Sequence, residues 1–277
     1  MDAASLLHIE SRHQAIRIVT CSAPPVNLIV PQLVRELHDL VQAFSNDESV
    51  KVVIFRSGIE GFFLNHFNLS QAADFPILDT PEQTPVWVDL VLRLSHAPFV
   101  SIASIRGRTR GGGNEFALAC DLRYASTEKA FFGQPEVGTG ILPGGGGSER
   151  LPRLIGRDRA IEAILSSADY DATTAAAFGW VTRALPDSEL DTFVDQLADR
   201  LAGFERQALI GAKTQINRAT LPPEADLRAA YAEYTASLSW PAVRVRLPRL
   251  GKLVAEHGAD VELRLGHYLG LLGDVSA

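Results

Sequence analysis

Cysteine is scarce in this chain. The two present among 277 residues, Cys21 and Cys120, have no metal-ligand spacing. Both sit in apolar surroundings and read as reduced core residues. The N-terminus, Met1-Asp-Ala-Ala-Ser-Leu-Leu-His8, lacks the basic segment and long apolar run of a signal peptide. No stretch is apolar enough to span a bilayer, so the expectation is a cytoplasmic protein with no membrane partner. Excess positive charge is also missing. The formal net charge is −7, which argues against a nucleic-acid partner. There is no internal repeat and no low-complexity segment beyond the run Gly144–Gly147. That run lacks the Lys-Ser/Thr that a phosphate-binding P-loop needs, and it reads as a connection shaping a pocket wall.

What is present is ordinary globular material: 46% hydrophobic and 21% charged residues, enough chain for one large core plus an appendage. Residues 16–20 alternate and read as a strand. Pro31 opens a helix at its favoured first position, and Leu33, Val34, Leu37, Leu40, Val41 and Phe44 follow at helical spacing. Residues 50–55 are a nearly continuous apolar strand, as in a parallel sheet covered on both sides. Trp87, Leu90, Val91 and Leu94 mark another helix, and residues 99–105 another buried strand. Strands alternating with helices give an α/β class. Ser148 is placed to cap a helix, and Ser188 with Asp191 resembles a capping box. Beyond Asp187 the pattern is helical, with one stripe at Leu190, Phe193, Val194, Leu197 and Leu201 and a second at Leu209, Ala212, Ile216 and Ala219. Residues 1–200 read as the core and 201–277 as a C-terminal helical region.

The most informative stretch is Gly107-Arg108-Thr109-Arg110-Gly111-Gly112-Gly113-Asn114-Glu115, running on through Ala119-Cys120-Asp121 to Gly133-Gln134-Pro135-Glu136. Glycines between a strand and a helix let backbone N–H groups approach a ligand with no Cβ in the way. The helix start adds partial positive charge. Such a turn suits a developing oxyanion. Glu115 sits in the first turn of that helix, and Glu136 follows a second turn.

The triple glycine, the glutamate two places after it, the Ala-Cys-Asp ending and the Gly-Gln-Pro-Glu turn resemble the crotonase superfamily, the enoyl-CoA hydratase/isomerase family. The resemblance covers about Ile9 to Leu221 and implies a spiral of ββα turns whose C-terminal helices cover the active site and make trimers or hexamers. It implies an acyl-CoA thioester substrate, no metal or redox cofactor, and hydration of an α,β-unsaturated thioester. Glu115 and Glu136 match the two catalytic glutamates. Gly112 matches one oxyanion donor, and the N–H of Phe67 should supply the other. Asn65, His66, Asn68, Arg110, Gly111 and Leu142 are the expected substrate contacts. An isomerase or hydrolase with one dominant glutamate, or a catalytically silent assembly protein, is the alternative.

Each acid also has a plain reading. Glu115 could be an acid favoured by the helix dipole, and Glu136 a solvent-facing turn residue. His66 could be a surface residue, a pocket wall or a catalytic group; with no partner in view, the wall reading is preferred. The turn Asn65-His66-Phe67-Asn68-Leu69 departs from the family's pattern, since His66 replaces a glycine and Asn68 an aspartate. The main-chain N–H of Phe67 survives that change if His66 adopts the glycine's dihedral angles. The basic residue often found before Asn27 is missing from Pro24-Pro25-Val26. Arg106, Arg108 and Arg110 alternate along an extended segment and should share a face. Their plain role is pairing with acids across a subunit contact. The sharper expectation is that Arg110 reaches the acyl pocket or a CoA phosphate.

Overall fold

The computed structural model describes residues 4–80 and 83–273; the first three residues of the N-terminal stretch and the last four of the C-terminal region lie outside them. In chain order the elements begin with β1 (Leu7–Arg12), β2 (Ile16–Cys21), α1 (Pro31–Asn46), β3 (Val52–Ser57), a 3₁₀ turn over Leu69–Asp74, α2 (Val86–His96), β4 (Val100–Ile105), β5 (Arg108–Arg110) and α3 (Gly112–Ala119). Next come β6 (Leu122–Ser126), β7 (Phe131–Gly133), α4 (Glu136–Thr139), α5 (Gly147–Ile155), α6 (Arg157–Ser166), β8 (Tyr170–Asp171), α7 (Ala172–Phe178) and β9 (Arg183–Leu185). The chain closes with α8 (Asp187–Ala202), α9 (Arg206–Thr220), α10 (Glu224–Ser237), α11 (Pro241–His257), α12 (Ala259–Leu263) and α13 (Leu265–Leu271).

Two sheets lie side by side, in the orders β1-β2-β3-β4-β6-β9 and β5-β7-β8. From β2 onward the larger sheet is parallel. Two successive turns of the chain each give one strand to the large sheet and one to the small, then a helix: β4, β5, α3, and again β6, β7, α4. A parallel sheet needs both faces covered. One face buries Val19, Val53, Phe55 and Ala103 against Leu33, Leu37, Leu90 and Phe116. The other buries Ile16, Ile18, Val52, Ile54 and Ile102 against Leu190, Val194 and Ala198 of α8. That double burial explains why β3 reads as an unbroken apolar run. Cys21 and Cys120 are buried and unpaired, and burial pushes the Cys21 thiol up to about 12, so it is inert.

Several local expectations shift. Helix α5 starts at Gly147 with Gly146 as its cap, at φ 101°, so Ser148 lies inside the first turn. Helix α8 starts at Asp187 after Pro186, with no side-chain cap; Glu128 accepts the Asp187 N–H instead, at 2.8 Å. The stripe on α9 is not covered by the described residues: no residue of that helix is buried, and Ile216 is 62% exposed. Strand β1 is a mostly exposed edge whose apolar alternation stops at Ile9, too short to mark a strand in the sequence. Arg106 does not share a face with the other two arginines, because Gly107 turns the chain between β4 and β5 at φ 92°, whereas Arg108 and Arg110, alternate residues of β5, both reach the Leu263 carbonyl. Among the described residues no helix is long and apolar enough to cross a membrane.

Candidate active site

The site forms where two turns meet at the ends of parallel strands. The first is 64–69, after β3. The second is Gly111–Gly113, after β5. Their approach is too close for side chains: a Cβ on Gly113 would lie 1.9 Å from the Leu64 carbonyl oxygen, and one on Gly112 would lie 2.5 Å from the Phe67 ring. The Gly113 N–H donates to the Asn65 carbonyl at 3.0 Å, stitching the turns together. Gly111, at φ 51°, takes a conformation that only glycine adopts freely.

Among the described residues two main-chain donors are left over. Gly112 is the first residue of α3, so its N–H has no acceptor inside the helix. Phe67 is bridged to Ile29 in parallel register, a pattern that uses the His66 carbonyl and the Asn68 N–H but not the Phe67 N–H. The Ile29 N–H bonds the His66 carbonyl at 3.0 Å, and this polarises the same peptide group that carries the Phe67 N–H. His66 supports this turn without a left-handed φ, so the glycine dihedral expected of it is not needed.

The two glutamates differ in their surroundings. Glu115 is 1% exposed, and its Oε1 accepts N–H groups from Gly145 (2.7 Å) and Gly147 (3.1 Å). The Gly144–Gly147 run therefore acts as an acid's cradle. The Trp87 indole N–H lies beside the other carboxylate oxygen without an aligned hydrogen bond. Burial pushes the Glu115 carboxyl up, while the Gly145 and Gly147 N–H groups and the Arg150 charge oppose the rise. Glu136 opens α4, faces the cleft and has a buried Oε2 with no partner among the described residues. Burial first, and then the Glu115 charge, push it up to about 8. A third acid, Glu149, is pushed up to about 7 by burial and by Glu115.

Other residues of the glycine stretch hold the frame. Gln134 accepts from Asn114 at 2.7 Å, and Asn114 accepts from the Trp180 indole at 2.8 Å. Asp121 ties the end of α3 to the Ser101 N–H (2.8 Å) and to Lys213 (2.8 Å).

The cleft is walled by His66, Phe67 and Glu136, with Tyr234 of α10, Leu247, Leu250 and Val254 of α11, and Val261 and Glu262 of α12. Sequence reading missed Tyr234 and Glu262, whose helices carry no motif. The expected substrate contacts are scattered. Leu142 is not on the wall; its N–H bonds Ser237 at 3.2 Å, and Ile141 takes the wall position. Asn68 caps the 3₁₀ turn through Ser70 and holds Gln71. Asn65 donates to Glu262 at 2.8 Å. Arg110 is 1% exposed and forms a two-pronged pair with Asp169, at 2.7 and 2.8 Å, while also donating to the Glu262 and Leu263 carbonyls. It does not face the cleft, so the expected ligand contact gives way to an internal ion pair. Arg106 pairs with Asp187 and Asp191 of its own chain rather than with acids across a subunit contact.

The enoyl-CoA hydratase/isomerase family profile matches residues 11–239. A short-chain-enoyl-CoA hydratase of Clostridium acetobutylicum is 30% identical over 204 residues, covering 73% of this chain and 78% of that one. A probable enoyl-CoA hydratase, echA8, of Mycobacterium tuberculosis is 31% identical over 211 residues, covering 75% and 80%. The crystal structure of a candidate enoyl-CoA hydratase from Streptomyces avermitilis superposes with a TM-score of 0.89 at 41% identity, covering 98% of this chain and 99% of that one. The paired sheets and ββα turns are thus a crotonase fold. Within that superfamily the chain belongs to the enoyl-CoA hydratase/isomerase family.

Proposed function

We propose that the protein is an enoyl-CoA hydratase, adding water to the double bond of an α,β-unsaturated acyl-CoA thioester. The observation that carries this reading is the pair of N–H groups left without a partner among the described residues, on Phe67 and Gly112, beside Glu115 and Glu136. When oxygen adds at Cβ, charge gathers on the thioester oxygen, and the two N–H groups receive it. One such donor contributes roughly 3–4 kcal/mol in well-studied enzymes. Glu115, whose Oε1 accepts two N–H groups that favour its anion, takes a proton from water. Glu136, protonated at neutral pH, gives one to Cα. The remaining hydroxide forms the bond to Cβ, so one water is added in all. A proton passing from Glu115 to Glu136 resets the pair. The substrate carries its own CoA, and no other cofactor enters the scheme.

Turnover of crotonyl-CoA tests this. Glu115→Gln and Glu136→Gln should each lower hydration by roughly 10²–10⁴-fold with the fold intact. Wild-type turnover in both variants would end the two-glutamate mechanism, and no turnover of any thioester by the native protein would favour a silent assembly role. One observation favours a second reading, an isomerase or hydrolase with one dominant acid: Glu136 is on the cleft wall while Glu115 is withdrawn from it. That reading expects one sensitive glutamate and one tolerant one. A division into a core over 1–200 and a cover over 201–277 is supported by the wall residues that α10–α12 contribute. A homotrimer or hexamer is supported by the uncovered α9 stripe.

A further inference from the structure

Helix α12 touches both halves of the oxyanion site. Glu262 projects to the first turn, where its Oε2 accepts from Asn65 at 2.8 Å and lies 3.2 Å from His66 Nε2. The other ring nitrogen, Nδ1, lies 3.0 Å from the Phe67 carbonyl. A carbonyl only accepts, so Nδ1 carries a hydrogen. For Nε2 to bond a carboxylate it must carry one too, which makes the ring an imidazolium. Burial alone would lower the His66 pKa, but the hydrogen bond and charge of Glu262 outweigh it and raise it. Burial would likewise raise Glu262, but His66 outweighs that and lowers it. An ion pair is the consistent state.

The backbone of the same short helix reaches the second turn. Arg110, next to Gly111 and Gly112, donates to the Glu262 and Leu263 carbonyls. Arg108 donates to the Leu263 carbonyl at 3.1 Å. Asp169 fixes Arg110 and also accepts the Gly266 N–H at 3.1 Å. The residues preceding Phe67 and those preceding Gly112 are thereby fastened to one short helix.

We propose that the His66–Glu262 pair is a positioning clamp. Through it α12 sets the distance and aim of the Phe67 N–H relative to the Gly112 N–H. His66 and Glu262 are positioning residues rather than reacting groups: both ring nitrogens are engaged within the protein. The proposal rests on the hydratase reading for its consequence in turnover, but not for its geometry. A misaimed donor weakens stabilisation of the developing oxyanion more than it weakens ground-state binding, so kcat should fall while KM holds.

The test combines kinetics on crotonyl-CoA with infrared spectroscopy of bound butyryl-CoA labelled with ¹³C at the thioester carbonyl, an ester that cannot be hydrated. Glu262→Gln should lower kcat at least about tenfold, with KM within about threefold. It should also move the bound carbonyl frequency back towards its value in free solution, while the wild-type frequency is shifted down. His66→Gln should give the same pattern, and the double variant little more than either single one, as expected of residues acting as a unit. If Glu262→Gln does not fold, His66→Gln carries the same measurements. Unchanged kcat and carbonyl frequency in the variants would overturn the clamp, as would a loss of activity explained wholly by a smaller folded fraction. Absence of turnover in the native protein with its carbonyl shift retained would end the hydratase reading alone.

Discussion

Glu136 holds its proton near neutral pH because charging it would place a second negative group in a buried site beside Glu115. This has a consequence for stability. Its folded-state value, about 8, lies above its ordinary value of 4.5. The stability linked to this group is therefore fully present below 4.5 and is lost as pH rises towards 8. Glu136→Gln removes that titration. Melting temperatures at pH 5 and pH 9 should differ less for the variant than for the wild type, with the variant the more stable at pH 9. A parallel loss in both proteins would mean that Glu136 is charged in the fold. In the same way, hydration by the native enzyme should decline above about 8, as the acid proposed to serve Cα ionises. A pH–rate profile for kcat that stays flat through that range would remove Glu136 as the proton donor.

Arg110 shows at the same scale how a motif residue changes role once its partner is known. With Asp169 bound in two-pronged fashion and its side chain 1% exposed, it is part of the frame. Breaking a buried pair from one side costs about 3–5 kcal/mol, because the remaining charge loses its partner. Arg110→Met should lower the urea-unfolding free energy on that scale. It should not produce the salt-sensitive loss of CoA-ester affinity that a phosphate contact would give. Unchanged stability with weakened, salt-dependent affinity would return Arg110 to the ligand.

Among elements, the start of α3 carries the tightest constraint. The Gly113 Cβ would fall on a carbonyl oxygen belonging to another turn, and neither backbone can give way without moving the Phe67 N–H. Gly113→Ala should therefore destabilise by at least ~1–3 kcal/mol and abolish measurable hydration; calorimetry and crotonyl-CoA turnover check the two halves separately. Native stability with full activity would show that the turns can separate, and the close approach would lose its meaning. Helix α3 was legible because its glycines, its acid and its turn residues stand within one short stretch of chain, whereas the four-residue α4 read only as the end of a turn. The β5-β7-β8 sheet was not: its strands are two or three residues long, too short for any periodicity to register.

At the scale of the whole molecule, α9 is the element whose pattern and surroundings disagree. Leu209, Ala212, Ile216 and Ala219 were spaced for burial, yet Ile216 stands 62% exposed. Light scattering of the native protein should give three or six times the 30.0 kDa chain mass, and Ile216→Glu should reduce it. A native monomer would leave the stripe without that explanation.

The sequence by itself determined the local chemistry: a strand running into glycines, the first turn of a helix holding Glu115, and Glu136 after the next turn. These features are short-range, and the backbone rules behind them act over a few residues. It also marked the strands and helices whose faces are buried continuously, because apolar spacing records burial directly. Only the tertiary structure decided which groups share a pocket. Glu262 lies 196 residues from His66 in the chain, on a helix with no motif, and no local pattern ties the two together. The same holds for Asp169 with Arg110 and for Gly145 and Gly147 with Glu115. A charged side chain's partner is chosen by where the folded chain brings opposite charge and free donors within reach, and that choice follows from the packing of the whole.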